Sequence, residues 1–386
     1  MPILRSIDGC WRNFVRSNLG RSVGEQSDTG ISRPRLLVLS TRSPFSPRGG
    51  DQVRLLGLLR AAVAIGDTTL AIWGEPGGST SIEEFTVQRF SVPKLVALLG
   101  VIGQGIRDRP LILGPYVRGF PVIPGRWDLV IGFQLKTWRW AQVVPASVHV
   151  LDMVDSLSRY REAPELPIRK KWQLRGVRRE EEEARAAFDQ VWVSSEADRD
   201  YLATMADVPM QVVPNGPLQI NPLPQARKGK RLLFVGNHTY PPNRQGIEWF
   251  LREIWPELQR EGFNLDLVGE GSQRFGNRLG VRGCGQVDAI EPFYAQARCV
   301  ISPVWWGGGS QSKIWEALGY GRRIVVRPEG AGGIAPRVGI EVASGREEWV
   351  RAVRQIVTDP FPFDPALTTV TARMDQALRD ALSRQG

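Results

Sequence analysis

Glu316 and Lys313 follow three consecutive glycines, Gly307, Gly308 and Gly309, and the intervening sequence reads as a helix beginning at Ser310. Glycines let backbone N–H groups approach a ligand with no side chain in the way. The positive end of a helix dipole favours a phosphate there. A carboxylate about two turns in, as at Glu316, is placed to accept hydrogen bonds from a ribose diol. Lys313, one turn earlier, is placed to neutralise diphosphate charge. An apolar strand (Val300–Val304) precedes this segment, and Ile324–Val326 opens another after the helix stops at Gly321. Strand, glycine loop, helix and strand make one parallel crossover unit. The segment is a candidate nucleotide site without a Walker lysine or a GxGxxG fingerprint.

Other candidates fall in loops after strand-like runs. Gly236, Asn237 and His238 follow Arg231–Val235, and the glycine would permit close approach of a ligand. Gly49 and Gly50 precede a helix, with Asp51 as its cap or as a ligand, the cap being the favoured reading. Asp152 and Asp155 follow a buried strand, where carboxylates are costly unless used or hydrogen-bonded. His149 lies inside that strand pattern and reads as a core residue. Glu180–Glu183, set among arginines, reads as a solvated helix laced by i,i+4 pairs.

The elements that must position these residues alternate between strand and helix patterns. One series runs from Arg35–Ser40 through Thr69–Trp73, Leu129–Phe133, Val148–Leu151 and Val191–Ser194. A second starts at Arg231 and continues through Leu265–Gly269. The pattern predicts two Rossmann-like α/β domains with parallel sheets, facing each other across a ligand cleft. The expected division is an extension at 1–33, an N-terminal domain at 34–208, a linker at 209–229, a C-terminal domain at 230–358, and a tail with a helix at 359–386. The extension interleaves Ile3, Leu4, Ile7, Trp11, Phe14 and Val15 with Arg5, Arg12 and Arg16, a basic amphipathic pattern suited to a membrane surface or to packing on the body.

The chain has 386 residues, 42% of them hydrophobic and 23% charged, enough for two cores, with a net charge of +10. That balance favours anionic partners, but no basic block accompanies a nucleic-acid motif, so nucleic acid is not expected. Three scattered cysteines give neither a disulfide framework nor a CxxC metal site. No run approaches the ~18 apolar residues of a membrane span. A cytoplasmic protein, peripheral at the inner membrane face, fits these features. Lys94 to Pro124 mixes Leu95, Val96, Leu98, Leu99, Val101 and Ile102 with Arg107, Arg109 and Arg118, a packed helix and loop or a surface that meets a membrane.

Taken in order, the motifs resemble group 1 glycosyltransferases of the GT-B fold (family GT4), in the branch that makes bacterial surface polysaccharides. The resemblance rests on Leu233-Phe234-Val235-Gly236, Pro241-Pro242-Asn243, Trp249–Pro256, Leu267-Val268-Gly269, Lys313–Gly321, and Glu329-Gly330, with Pro44, Pro47, Gly49, Gly50, Asp152, Asp155 and Val213–Gly216 in the first half. It spans about residues 35–356. It implies transfer of a sugar from a nucleotide diphosphate sugar to an acceptor hydroxyl, commonly with retention and without a metal or other cofactor. The acceptor would be a saccharide or a lipid-linked sugar on the N-terminal side. Glu316 would bind the donor ribose. Gly307, Gly308, Gly309, Ser310, Lys313 and Arg244 would meet the diphosphate or sugar, and Asp152 or Asp155 the acceptor or the donor sugar. A second glutamate that such enzymes often carry two turns before the first is replaced here by Gly308. Two rival readings share the fold: a sugar-nucleotide 2-epimerase, and a non-catalytic partner subunit that only binds the nucleotide sugar.

Overall fold

The computed structural model describes residues 33–384 apart from the short segments 46–48, 75–77, 83–84, 92, 108, 117–118, 167–172, 205–209, 225–228, 308–310, 332–333, 335–337, 359–363 and 365. The proposed extension, save Arg33, and Gly308, Gly309 and Ser310 therefore lie outside the described residues.

Strands β1 (Arg35–Ser40), β2 (Asp67–Trp73), β3 (Gly78–Ile82), β4 (Phe85–Phe90), β5 (Trp127–Phe133), β6 (Ala146–Val154), β7 (Gln190–Val193) and β8 (Met210–Val212) form the first sheet, in the order β3-β4-β2-β1-β5-β6-β7-β8. The edge strand β3 pairs antiparallel with β4, and the others run parallel. The second sheet is parallel throughout: β9 (Arg231–Val235), β10 (Asn264–Val268), β11 (Val281–Gly285), β12 (Cys299–Ser302), β13 (Ile324–Val326) and β14 (Ile340–Val342), in the order β11-β10-β9-β12-β13-β14. Leu36–Leu39 and Ile324–Val326 are fully buried apolar runs, as strands covered on both faces require. Strand order reverses between β1 and β5 and again between β9 and β12, and in such sheets a ligand sits beyond the carboxyl ends at that point.

The helices that matter for the site are α1 (Gly50–Ile65), α2 (Lys94–Ile106), α3 (Leu157–Glu162), α4 (Leu174–Ala186), α5 (Pro241–Glu253), α6 (Ser312–Gly319) and α7 (Val370–Ser383). The C-terminal helix packs on the first domain. Val370, Met374, Ala377, Leu378 and Ala381 join the core containing Leu55, Leu58 and Leu59 of α1. A Cβ at Gly57 would lie 2.5 Å from Val370 Cγ1, so the two helices meet at a glycine. At its start α7 also touches the second domain, with the Arg373 guanidinium 4.3 Å from the Trp315 ring centre.

Two expectations are corrected here. Asp152 lies within β6 rather than after it, because β6 runs on to Val154. The run Glu180–Glu183 on α4 is a solvated face only in part: Glu183 makes the expected i,i+4 pair with Arg179, but the first two glutamates are buried. Glu180 is fully buried and bonds Arg109, Arg139 and the Trp138 indole, while Glu181 is buried against Ser156 and Ser158. Buried carboxylates need such partners. The same pairing buries Arg109, in keeping with the packed alternative for that part of Lys94 to Pro124.

Candidate active site

Each sheet presents its carboxyl ends to the same cleft. On the C-terminal side, α6 begins at Ser312 and carries Lys313 and Glu316 on its first turns. The Tyr294 hydroxyl donates to Glu316 Oε2 at 2.8 Å. Burial raises the Glu316 carboxyl to about 7, the Tyr294 hydrogen bond opposes this, and nearby Glu291 adds to it. Tyr294 is itself fixed by stacking on Tyr320, with ring centres 4.6 Å apart. Glu316 is thus held in one orientation by an aromatic support.

Lys313 is not a surface lysine. Its ammonium donates to Asn243 Oδ1 at 3.1 Å and lies 3.4 Å from Gln311 Oε1, over the Phe234 ring. Burial lowers its pKa to about 8, with Glu316 opposing. Gly236 leaves this lysine uncovered: a Cβ there would lie 3.0 Å from Asn243 Nδ2 and 3.5 Å from Lys313 Cε. Asn237 caps its own turn, accepting from the Thr239 N–H at 2.7 Å. His238 does not face the cleft as the sequence reading had it. Its ring is fully buried between Phe234 and Phe275, and burial pushes its pKa down to about 4. Its backbone N–H is committed as well, donating to Glu270 O at 2.8 Å. Arg244, in the first turn of α5, sits 4.0 Å from Glu248, and its buried Nε has no hydrogen-bond partner among the described residues. Gly307 adopts φ +136, a conformation that excludes most side chains, with Tyr240 and Pro242 beside it.

On the N-terminal side, Gly49 is the N-cap of α1 and Gly50 its first residue. Asp51 does not cap; it accepts from Arg42 Nε at 2.9 Å and Gln134 Nε2 at 3.3 Å. The two carboxylates of β6 have different fates. Asp152 is fully buried and grips Arg54 of α1 through both oxygens, at 2.8 and 2.9 Å. Arg54 continues to Val213 O and Asn215 Oδ1. Both Asp152 oxygens are therefore committed to fixing α1 on the sheet, and its assignment to catalysis is corrected. Asp155 is half-buried, and among the described residues its carboxyl has no cation partner at ion-pair distance. Burial, then the neighbouring Asp198, Glu181 and Asp51, raise it to about 7.

Backbone strain gathers at the same place. Val154, a β-branched residue, has φ +69, and the Asp155 N–H turns back to Met153 O at 2.8 Å, a γ-turn. Gln134, at the end of β5, has φ 66 and ψ 156. Such conformations cost of order 1–3 kcal/mol each and cluster at functional sites. Sequence carries no sign of either. Lys136 lies nearby, its pKa lowered by burial and by Arg42.

The halves meet directly. A Cβ at Gly50 would lie 2.6 Å from Ser312 Oγ, so the N-termini of α1 and α6 converge. Tyr160 of α3 lies parallel to Tyr240 and Trp306, with centres 6.0 and 5.7 Å away. Trp305 Nε1 donates to Glu165 Oε1 at 3.0 Å. The Trp305-Trp306 pair just before the glycines was the visible but unused signal for this contact. Among the described residues no cluster of His, Cys, Asp and Glu offers a metal site.

Comparison with known proteins agrees with this fold. Residues 229–359 match the family described as glycosyl transferases group 1. A search of curated sequences finds no match. Among solved structures, a sucrose-phosphate synthase from Thermosynechococcus elongatus is similar at TM-score 0.61 and 14% identity, over 91% of this chain and 95% of that one. The Anabaena protein HepE in complex with UDP-glucose is similar at TM-score 0.60 and 14% identity, over 91% and 100%. A trehalose-6-phosphate structure from E. coli bound with UDP-2-fluoro glucose reaches 0.55 and 11%, over 91% and 97%. At these identities the likeness establishes the fold, and the chain has the GT-B fold.

Proposed function

We propose that the chain is a glycosyltransferase that moves a sugar from a nucleoside diphosphate sugar to an acceptor hydroxyl, with retention, in polysaccharide or glycoconjugate synthesis. The observation that carries this reading is the convergence of the α1 and α6 N-termini on one point, with Lys313 and Glu316 directly behind it. Two helix N-termini and a half-buried lysine suit a diphosphate. Glu316, steadied by Tyr294, suits the ribose diol one turn deeper. The group 1 match over the second domain supports the same assignment, and the UDP-sugars bound to two similar structures make uridine nucleotides the first donors to try.

The steps follow from charge. The bond between the sugar's anomeric carbon and the diphosphate oxygen breaks, and negative charge grows on the departing oxygen. Lys313, the α6 N-terminus and Arg244 stabilise that charge without reorganising. The acceptor hydroxyl enters from the N-terminal side and hydrogen-bonds Asp155, whose raised pKa leaves it near the working pH. Its oxygen bonds to the anomeric carbon, and its proton passes to the departing phosphate oxygen. Incubation with a panel of nucleotide sugars and saccharide acceptors, read by nucleoside diphosphate release and by NMR of the new anomeric linkage, tests this. Acceptor-dependent release with retention is expected. An epimerised donor, or binding without any turnover across the panel, would reject it.

A further inference from the structure

Helix α2 turns an apolar stripe to solvent. Leu95, Leu98, Leu99, Ile102 and Ile106 are 67%, 56%, 49%, 49% and 81% exposed. Their spacing of three and four residues, with Ile106 one turn beyond Ile102, puts them on one side of the helix. The other side is seated: Gly100 and Gln104 are buried, and a Cβ at Gly119 would lie 2.8 Å from Val96 Cγ1. The stripe is therefore a presented surface and not a helix end that has come loose. Contiguous exposed apolar surface of this kind marks an interaction site.

Charge narrows the partner. From Lys94 to Arg107 the sequence holds no acidic residue, and both of these terminal cations are exposed. The chain as a whole carries +10. Apolar side chains flanked by cations match a surface that is negatively charged outside and apolar just beneath. Size narrows it further. An α-helix of 13 residues offers a strip only about 20 Å long and 10 Å wide, which is small beside the roughly 800 Å² per partner of a stable protein interface. It is also shorter than the ~20 residues of a membrane span.

Position relates the stripe to the cleft. α2 packs on the turn Leu111–Tyr116. The Tyr116 ring centre lies 5.8 Å from the Lys136 ammonium, two residues beyond the strained Gln134 at the end of β5. The stripe thus stands one layer outside the N-terminal half of the cleft mouth.

We propose that this face of α2 docks the protein on an anionic bilayer, with the five apolar side chains at the headgroup–acyl boundary and Lys94 and Arg107 among the headgroups. The acceptor half of the cleft is then held next to the membrane surface. This assignment stands on α2 alone and is independent of the donor chemistry.

Sedimentation of the full chain with phosphatidylcholine vesicles, with and without phosphatidylglycerol, tests it. Binding to the anionic vesicles should be at least tenfold tighter than to phosphatidylcholine alone and should weaken as salt rises. The double variant Leu98→Asp, Ile102→Asp alters only exposed positions, so it should lose at least tenfold in vesicle affinity with its thermal midpoint and nucleotide affinity unchanged. No vesicle binding by the parent chain would overturn the proposal, as would a double variant that binds equally well. Sedimentation equilibrium showing a dimer that the double variant dissociates would assign the stripe to a second copy and overturn it too.

Discussion

Gly50 and Ser312 come from different domains, yet a Cβ on the first would lie 2.6 Å from the hydroxyl of the second and 2.8 Å from its Cβ. The second contact matters more, because a hydroxyl can rotate away but a Cβ cannot. This approach of the domains thus depends on a missing side chain at the start of α1.

Gly50→Ala separates folding from closure. Gly50 is the first residue of α1 and its φ lies outside the left-handed region, so alanine suits the helix at least as well. The added methyl keeps the two helix N-termini apart. Transfer should fall at least tenfold while the thermal midpoint stays within a degree or two or rises. Wild-type turnover in this variant would show that the contact is not needed.

Asp152 and Asp155 should separate cleanly. Asp152→Ala leaves the Arg54 guanidinium buried without its carboxylate, which costs about 3–5 kcal/mol. Denaturant titration should show that loss. Asp155→Asn should leave stability near neutral pH intact or improved and reduce kcat with little change in the donor KM. A stability loss at Asp155 comparable to that at Asp152 would contradict the division of roles.

Asp155 also sets a pH slope. Its folded-state pKa is raised from 3.8 to about 7, so between those values the folded chain holds more protons than the unfolded one. Its contribution to stability is full below about 4 and is lost as pH rises through about 7. Thermal midpoints of the ligand-free protein measured from pH 4.5 to 8 should show this decline, and Asp155→Asn should flatten it. An identical slope in the variant would remove Asp155 as its source.

Donor affinity should be bell-shaped in pH. Ionised Glu316 accepts the diol's hydrogen bonds, so affinity rises through about 7. Charged Lys313 holds the diphosphate, so affinity falls above about 8. Glu316→Gln should remove the acid limb and Lys313→Met the alkaline limb, read as donor KM against pH. Limbs that persist in both variants would place these titrations elsewhere.

Much of this arrangement was legible in the residues. β13 ran where the apolar run Ile324–Val326 placed it, and α6 began two residues after the expected Ser310. Both sheets follow from apolar runs that buried parallel strands require. Short or polar strands escaped: β3 reads GSTSI and β11 reads VRGCG, with too little apolar content to show a period. Near the site, sequence pointed to Glu316 and Lys313 through their offset from the glycines. It did not distinguish Asp152 from Asp155, because the Arg54 partner lies 98 residues away. Nor could it foresee that His238 turns inward, or that Val154 and Gln134 take positive φ. Those outcomes depend on what the fold packs against each residue.

The central claim is that α6 holds a nucleoside diphosphate with Glu316 on its ribose. Calorimetric titration of UDP, and of the other common nucleoside diphosphates, into the parent chain and into Glu316→Ala tests it most directly. One nucleotide should bind the parent chain, with a Kd at least tenfold higher in the variant and an unchanged thermal midpoint without ligand. Equal affinity in the two proteins, or no nucleoside diphosphate binding to the parent chain, would contradict the account.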